Sequence, residues 1–162
     1  MRKNLVTQQG YNKLFTRLET LKREDRRKVS EEIEIAREHG DLSENAEYIY
    51  AKEKQGQIEA KIAEIESFLS NSEIVTSNMI SKNGNVVFGV WVTVLNQETD
   101  EKKTYKIVGQ PESNPYQGRL NYETPFARAL IGKRAGDEIE FVTPKGDEQY
   151  WEVLEVRHHE AV

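Results

Sequence analysis

The chain has 162 residues, 36% hydrophobic and 31% charged, with a formal net charge of −5 and no cysteine. It is too apolar for a disordered chain, and the missing cysteines exclude disulfides, thiolate catalysis and thiolate-bound zinc, so a reducing cytosol fits. No apolar run approaches the ~20 residues that span a bilayer, the basic start "MRKNLVTQQGYNKLF" lacks the apolar stretch of a signal peptide, and the acidic balance argues against a protein that coats nucleic acid.

Residues 1–70 contain no proline. Thr7 is placed to cap a first helix, because its hydroxyl can accept from an unpaired N–H of the first turn. Apolar residues then recur at helical spacing as Leu14, Leu18, Leu21, Val29, Ile33 and Ala36, with a gap at Asp25. Gly40 is placed to end the helix, since glycine takes the left-handed conformation without steric cost. A second series, Ala51, Ile58 and Ile65 offset by Gln55, Ile62 and Leu69, repeats every seven residues, the spacing of a coiled-coil seam. Folding it back on the first pairs Leu14 with Leu69, Leu18 with Ile65 and Leu21 with Ile62, and puts the apex near residues 41–42. The spacing therefore predicts an antiparallel helical hairpin within residues 1–76, with an arm of about 40 Å from Leu14 to Gly40 at ~1.5 Å per residue. Two helices alone bury little surface, so a body is expected at their base.

Residues 82–158 supply that body after the polar link "SNMISKNGN" (77–85). "NVVFGVWVTVLN" (85–96) and "KKTYKIVG" (102–109) read as a strand hairpin. "DEIEFVTP" (137–144) and "QYWEVLEV" (149–156) read as another, around "KGDE". Between them "TPFARALIGKRAGD" (124–137) reads as a short helix with Pro125 in its first turn and Gly132 near its end. The expected class is α+β: a helical hairpin followed by a small antiparallel sheet crossed by one helix. Phe88, Trp91, Tyr105 and Trp151 alternate as core residues do.

Several chemistries are set aside. His39, His158 and His159 do not make a metal cluster and read as surface residues. No glycine-rich phosphate loop precedes a helix, no serine or threonine has an evident base partner, and Asp41-Leu42-Ser43 lacks the alternating ligands of a calcium loop.

Two features remain. The first is "REHGDLSENAEYIYAKE" (37–53), which places Asp41, Glu44 and Glu47 at the apex. Helix capping accounts for one or two of these acids, through Asp41 with Glu44 or Ser43 beside Glu44. The alternative is delivery of carboxylates to another protein's active site, where a magnesium ion turns their mutual repulsion into attraction. Glu47, one turn on from Ser43, is assigned to capping and hairpin packing. The second feature is "KREDRRK" (22–28), with five basic residues in seven. Lys22 and Arg26 share one helix face, and Arg23 and Arg27 share another. Residues 1–73 carry 13 basic against 15 acidic side chains, so any basic patch is local. A solvated face paired with nearby acids fits.

The stretches "AREHGDLSENAEYIYAKEKQ" (36–55) and "TPFARALIGKRAGDEIEFVTPKGDEQYWEVLEV" (124–156), with "VVFGVWVTVLN" and "TYKIVG" between them, resemble the bacterial Gre-type transcript-cleavage factors, the GreA/GreB family. The resemblance runs in order over nearly the whole chain. It implies an N-terminal coiled coil and a C-terminal domain of FKBP-like fold that docks at the rim of the RNA polymerase secondary channel. The coiled coil would enter that channel. Asp41 and Glu44 match the motif's acids, which help the polymerase hold a second magnesium ion, and Ser43 lies between them at the tip. The basic cluster, Lys22, Arg23, Arg26 and Arg27, would touch the extruded RNA 3′ segment. The polymerase's own site would hydrolyse the backtracked RNA. The chain is thus expected to be no enzyme itself, to hold no cofactor of its own beyond the shared magnesium, and to act as a monomer away from membranes. One departure is Thr124, where a serine is usual before the proline; the hydroxyl cap is kept. The fold does not carry prolyl isomerase activity with it. Two rivals are a channel-plugging inhibitor of the same fold, against which the ordinary "GDLSENAEY" argues, and a coiled-coil adaptor or chaperone whose tip acids are replaceable.

Overall fold

The computed structural model describes residues 2–41, 45–80 and 82–158. Two compact units are present: Asn12–Ser72, and a second that combines Met1–Tyr11 with Glu73–Val162. The first eleven residues thus group with the sheet unit, not with the helices they lead into. In chain order the elements are β1 (Asn4–Val6), α1 (Gln8–Thr20), a π-helical turn (Leu21–Asp25), α2 (Arg26–Arg37), α3 (Ala46–Ser70), β2 (Ser72–Ile74), β3 (Trp91–Asn96), β4 (Lys102–Val108), β5 (Arg119–Asn121), α4 (Pro125–Leu130), β6 (Glu138–Val142) and β7 (Glu148–Arg157). Among the described residues no helix is long and apolar enough to cross a membrane.

The hairpin unit follows the sequence pattern closely. Leu18, Leu21, Val29, Ile33, Ala51, Ile58, Ile62 and Ile65 form one buried cluster, with Leu14, Tyr48 and Leu69 against it. The gap at Asp25 has a structural cause. From Leu21 to Val29 the apolar series steps by eight positions where a heptad steps by seven. The π-turn Leu21–Asp25 takes up the extra residue, and both Leu21 and Val29 stay buried. A π-turn rotates the following helix back into phase, as a stutter does in a coiled coil. Cross-hairpin partners fix the antiparallel register: Lys22 meets Glu66, Arg26 meets Glu59, and Lys54 meets Glu32.

The sheet unit carries a five-stranded sheet in the order β5-β4-β3-β7-β6, and β1 pairs with β2 apart from it. Both expected strand hairpins are present, as β3–β4 and β6–β7, and β3 also pairs with β7. The sheet is not wholly antiparallel, because β5 runs parallel to β4. The chain between them crosses over through two short 3-10 turns, Gln110–Glu112 and Pro115–Gln117, instead of reversing in a tight turn. The first strand also starts later than 85. Gly89 has φ of +91° in a turn closed by Val90 N–H to Val87 C=O, and Ile80 fills the space where a Cβ would stand. That turn ends the apolar run as a strand before Trp91. The short helix expected within 124–137 runs from Pro125 to Leu130, with Gly132 at φ of +90° just past its end; Thr124 caps it by accepting from Ala127 N–H, with Pro125 at its first position. Phe126 on this helix meets Tyr105, Phe141 and Trp151 edge-to-face at 5.9, 5.1 and 5.3 Å. The core of this unit also contains Val92, Val94, Ile107, Leu130 and Val153. Trp91 departs from the expected core set. It lies on the half-buried face of β3, opposite Val92 and Val94.

The start of α1 is closed by a residue remote in sequence. Thr7 Oγ1 accepts from Gly10 N–H at 3.0 Å, which is the expected cap. In the usual reciprocal cap a Glu or Gln three residues on returns a bond to the cap residue's own N–H. Gly10 has no side chain to do so. Glu112 replaces it, accepting from Thr7 N–H at 2.6 Å and from the Thr7 hydroxyl. A Cβ on Gly10 would collide with that carboxylate, so the glycine makes the room. Glu112→Ala should therefore destabilise the chain by about 1–2 kcal/mol, the value of a missing cap. Gly10→Ala should cost at least as much despite alanine's better helix propensity. Thermal unfolding followed by circular dichroism checks both. A Gly10→Ala chain more stable than the parent would show that the carboxylate is not held there.

Candidate functional site

The hairpin tip is built by one asparagine. α2 ends at Arg37, and His39 N–H and Gly40 N–H bond back to Ala36 C=O and Arg37 C=O, with Gly40 at φ of +109°. Asn45 is the N-cap of α3 in an extended conformation, its side-chain oxygen accepting from Tyr48 N–H at 3.2 Å. Its amide donates to Ala36 C=O at 2.6 Å. One side chain thus satisfies a free donor of α3, the kind of group a helix start leaves open, and adds a further bond to the Ala36 carbonyl in the last turn of α2. The capping role that the sequence offered to Asp41, Ser43 or Glu44 at α3 belongs to Asn45. The signal was available: asparagine directly before a helical run is a strong N-cap.

Asp41 is exposed just beyond α2. Ser43 and Glu44 lie outside the described residues, as does His159. Glu47 stands in the first turn of α3, where a negative charge suits the helix dipole. It is exposed, so the seam packing falls to Tyr48, which is partly buried against the hairpin core. Among the described residues no three histidine or carboxylate side chains converge on a point that would enclose a metal ion. What the tip presents at Asp41 is an exposed carboxylate. Magnesium is often held by one or two carboxylates with waters and phosphate oxygens, so such a donor suits a shared ion.

All four side chains of the basic cluster are paired. Lys22 meets Glu66 at 3.3 Å and Arg26 meets Glu59 at 2.7 Å, both across the hairpin. Arg23 meets Glu19 at 3.3 Å and Arg27 meets Glu31 at 3.1 Å, both along the helix. The two faces expected from spacing therefore have different jobs. Arg26 is bidentate, Nε and Nη2 each donating to one Glu59 oxygen, and these bonds hold the Glu59 carboxyl below its ordinary range. Arg23 is the most exposed of the four at 80%, against 43% for Arg26. Sequence reasoning passed over a groove of about 380 Å3 beside the π-turn, whose cations are Arg17, Lys28, Lys54 and Lys61. Lys28 belongs to the same basic run; the others come together only through the fold.

Comparison with known proteins covers the chain at both units. Residues 4–74 match the family model described as transcription elongation factor, N-terminal, and residues 81–158 match that of transcription elongation factor, GreA/GreB, C-term. The transcription elongation factor GreA of Thioalkalivibrio sulfidiphilus is 46% identical over 158 residues, 98% of this chain and 99% of its own. That of Cereibacter sphaeroides (strain ATCC 17023) is 49% identical over 152 residues, 94% of this chain and 99% of its own. Among solved structures, Thermus aquaticus Gfh1 is 26% identical, with 97% of this chain and 99% of its own covered, at a TM-score of 0.42.

Proposed function

The chain belongs to the GreA/GreB family of transcription elongation factors, and from that premise we propose that it binds bacterial RNA polymerase, inserts its helical hairpin into the secondary channel and stimulates the polymerase's own cleavage of backtracked RNA. The observation that carries this reading is the tip. Asn45 caps α3 and bonds to the last turn of α2, and the chain between them presents an exposed carboxylate at Asp41.

A second magnesium ion, when bound in the polymerase site, supplies activation of the attacking water or stabilisation of the leaving oxygen. The part of this chain is to hold carboxylates at the place where that ion is weakly retained. Asp41 and Glu44 add negative oxygens there, Ser43 contacts the tip surroundings, and the apolar seam keeps the tip at the end of a stiff arm. No bond is made to any side chain of this protein, so it assists an enzyme without being one. Its target is the RNA 3′ segment in backtracked complexes, and it acts as a monomer in the cytoplasm.

Arg23 and Arg27 are the side chains we assign to RNA first, with Lys22 and Arg26 behind them. Their partners, the half-exposed Glu19 and the exposed Glu31, lie one helical turn away, and such surface pairs are worth little in water, so exchanging one for a phosphate costs little. Lys22 and Arg26 would have to give up cross-hairpin partners. Changing Arg23 and Arg27 to Ser should weaken stimulation most on long backtracks. It should flatten the salt dependence by about 0.7 in log–log slope for each phosphate of single-stranded RNA that is no longer neutralised. Equal impairment on short and long backtracks would assign the cluster to the solvated helix face instead.

The whole reading is tested by a cleavage assay on a stalled, backtracked polymerase complex with and without the protein. Binding with inhibition would identify the channel-plugging relative. Absence of binding would leave the adaptor reading.

A further inference from the structure

The sheet unit has a cavity of about 470 Å3 whose lining includes Trp91, Lys106, His158, Ile80, Phe88 and Thr76, and no carboxylate among the described residues. Trp91 is the centre of a row. Lys106 on β4 and Arg157 on β7 are its direct cross-strand partners, so the three side chains share one face of the sheet. The Lys106 ammonium lies 5.9 Å from the centre of the Trp91 ring. Arg157 is engaged by Glu155 at 3.7 Å, whereas Lys106 meets no acid among the described residues. The Trp91 indole N–H is buried and finds no acceptor among them. A buried donor without an acceptor costs its full hydration, and native structures rarely leave one so.

Resting on the proposed function, we propose that this cavity receives an acidic side chain of RNA polymerase, an aspartate or glutamate that accepts from the Trp91 N–H and pairs with Lys106. One carboxylate supplies both things missing here, an acceptor for the indole and a counter-charge for the lysine. Lys106 lies over the ring on four rotatable bonds, so it can swing aside with the incoming group. Single-stranded nucleic acid is disfavoured as the occupant. Its bases bind by stacking on aromatic faces, whereas the group that lacks a partner here is the Trp91 N–H at the ring edge. The apolar flank of Ile80 and Phe88 suits a side chain brought in by a protein surface.

Two measurements on the full chain test this. In the first, the two indole N–H signals of the 15N-labelled protein are followed while acetate, inorganic phosphate or a short single-stranded RNA is added. Trp151 serves as the internal reference, because its N–H already donates to Gln149 at 3.1 Å. Acetate should move the Trp91 signal saturably and leave Trp151 in place. A larger response to RNA, or none to acetate, would overturn the site. So would the appearance of the acetate response only after residues 159–162 are removed, since the occupant would then be the chain's own Glu160. The second measurement is affinity for RNA polymerase core. Lys106→Met and Trp91→Phe should each weaken it about 10- to 100-fold, in line with loss of one hydrogen bond to a charged group, while Lys106→Arg stays within about twofold. Parent-like affinity in both variants overturns the docking role. A parent chain that does not bind polymerase at all overturns the proposed function itself, which separates the two failures.

Discussion

Replacing both Asp41 and Glu44 with alanine is expected to reduce stimulated RNA cleavage by about 10- to 100-fold, the range seen when groups supporting a metal site are removed, while polymerase binding stays near that of the parent. The separation of the two effects follows from the architecture. Asp41 stands at the end of the hairpin, and the hairpin's cohesion comes from the seam behind it, from Leu18 to Ile65. The N-cap of α3 is Asn45, whose bonds to Tyr48 N–H and Ala36 C=O use neither acid. The defect should shrink as magnesium is raised, because a carboxylate that only improves ion retention can be replaced by mass action. Cleavage titrated against magnesium for parent, Asp41→Ala, Glu44→Ala and the double variant checks this. Full activity of the double variant at low magnesium would remove the acids from the mechanism. A defect that magnesium does not reduce would give them a steric or positioning role instead.

How much was legible in the sequence differs between the two units for a physical reason. The hairpin is a local, periodic structure, and its seam residues, its antiparallel sense and its glycine terminus were readable from spacing, while the register of its two arms, seen in Lys22–Glu66 and Arg26–Glu59, lies a few residues from the expected pairing. Even its irregularity left a trace, since the gap at Asp25 marks the π-turn that shifts the apolar phase by one residue. In the sheet unit the two strand hairpins were readable for the same reason. What escaped depends on partners far apart in the chain. β1 has three residues and no pattern of its own, and exists because β2 lies beside it. The parallel partner β5 is equally short. The Glu112 cap joins residues separated by 105 positions. Trp91 read as core because alternation shows that two faces differ, and not which side each aromatic takes. At the tip and the basic cluster, the Asn45 cap and the along-helix pairs of Arg23 and Arg27 lie within sequence reach, whereas the cross-hairpin partners of Lys22 and Arg26 needed the fold.

The two units should fail differently when separated. A chain in which Met1–Tyr11 is joined through a short glycine–serine linker to Glu73–Val162 is expected to bind polymerase and compete with the full protein, yet stimulate no cleavage. Cutting at residue 82 would be a poor test. It removes Val6, which is fully buried, and Thr7, whose N–H and hydroxyl engage Glu112. The linker is short because Val75 N–H donates to Val6 C=O at 2.8 Å, so the two segments already lie side by side. The complementary hairpin, Asn12–Ser72, keeps its own apolar cluster and the whole tip. It should stimulate cleavage only at high concentration, because its tip carries the chemistry without the second attached contact. Such linkage changes avidity by about 10²–10⁴-fold, and the hairpin's half-maximal concentration should rise by a factor in that range. Adding the two pieces as separate chains should not restore activity, since nothing then raises the local concentration of the hairpin at the channel. The measurement is a cleavage titration of each piece, and of the mixture, against one backtracked complex. A folded sheet unit that fails to compete at any concentration would move the binding site into the hairpin. In that case the isolated hairpin should match the full chain.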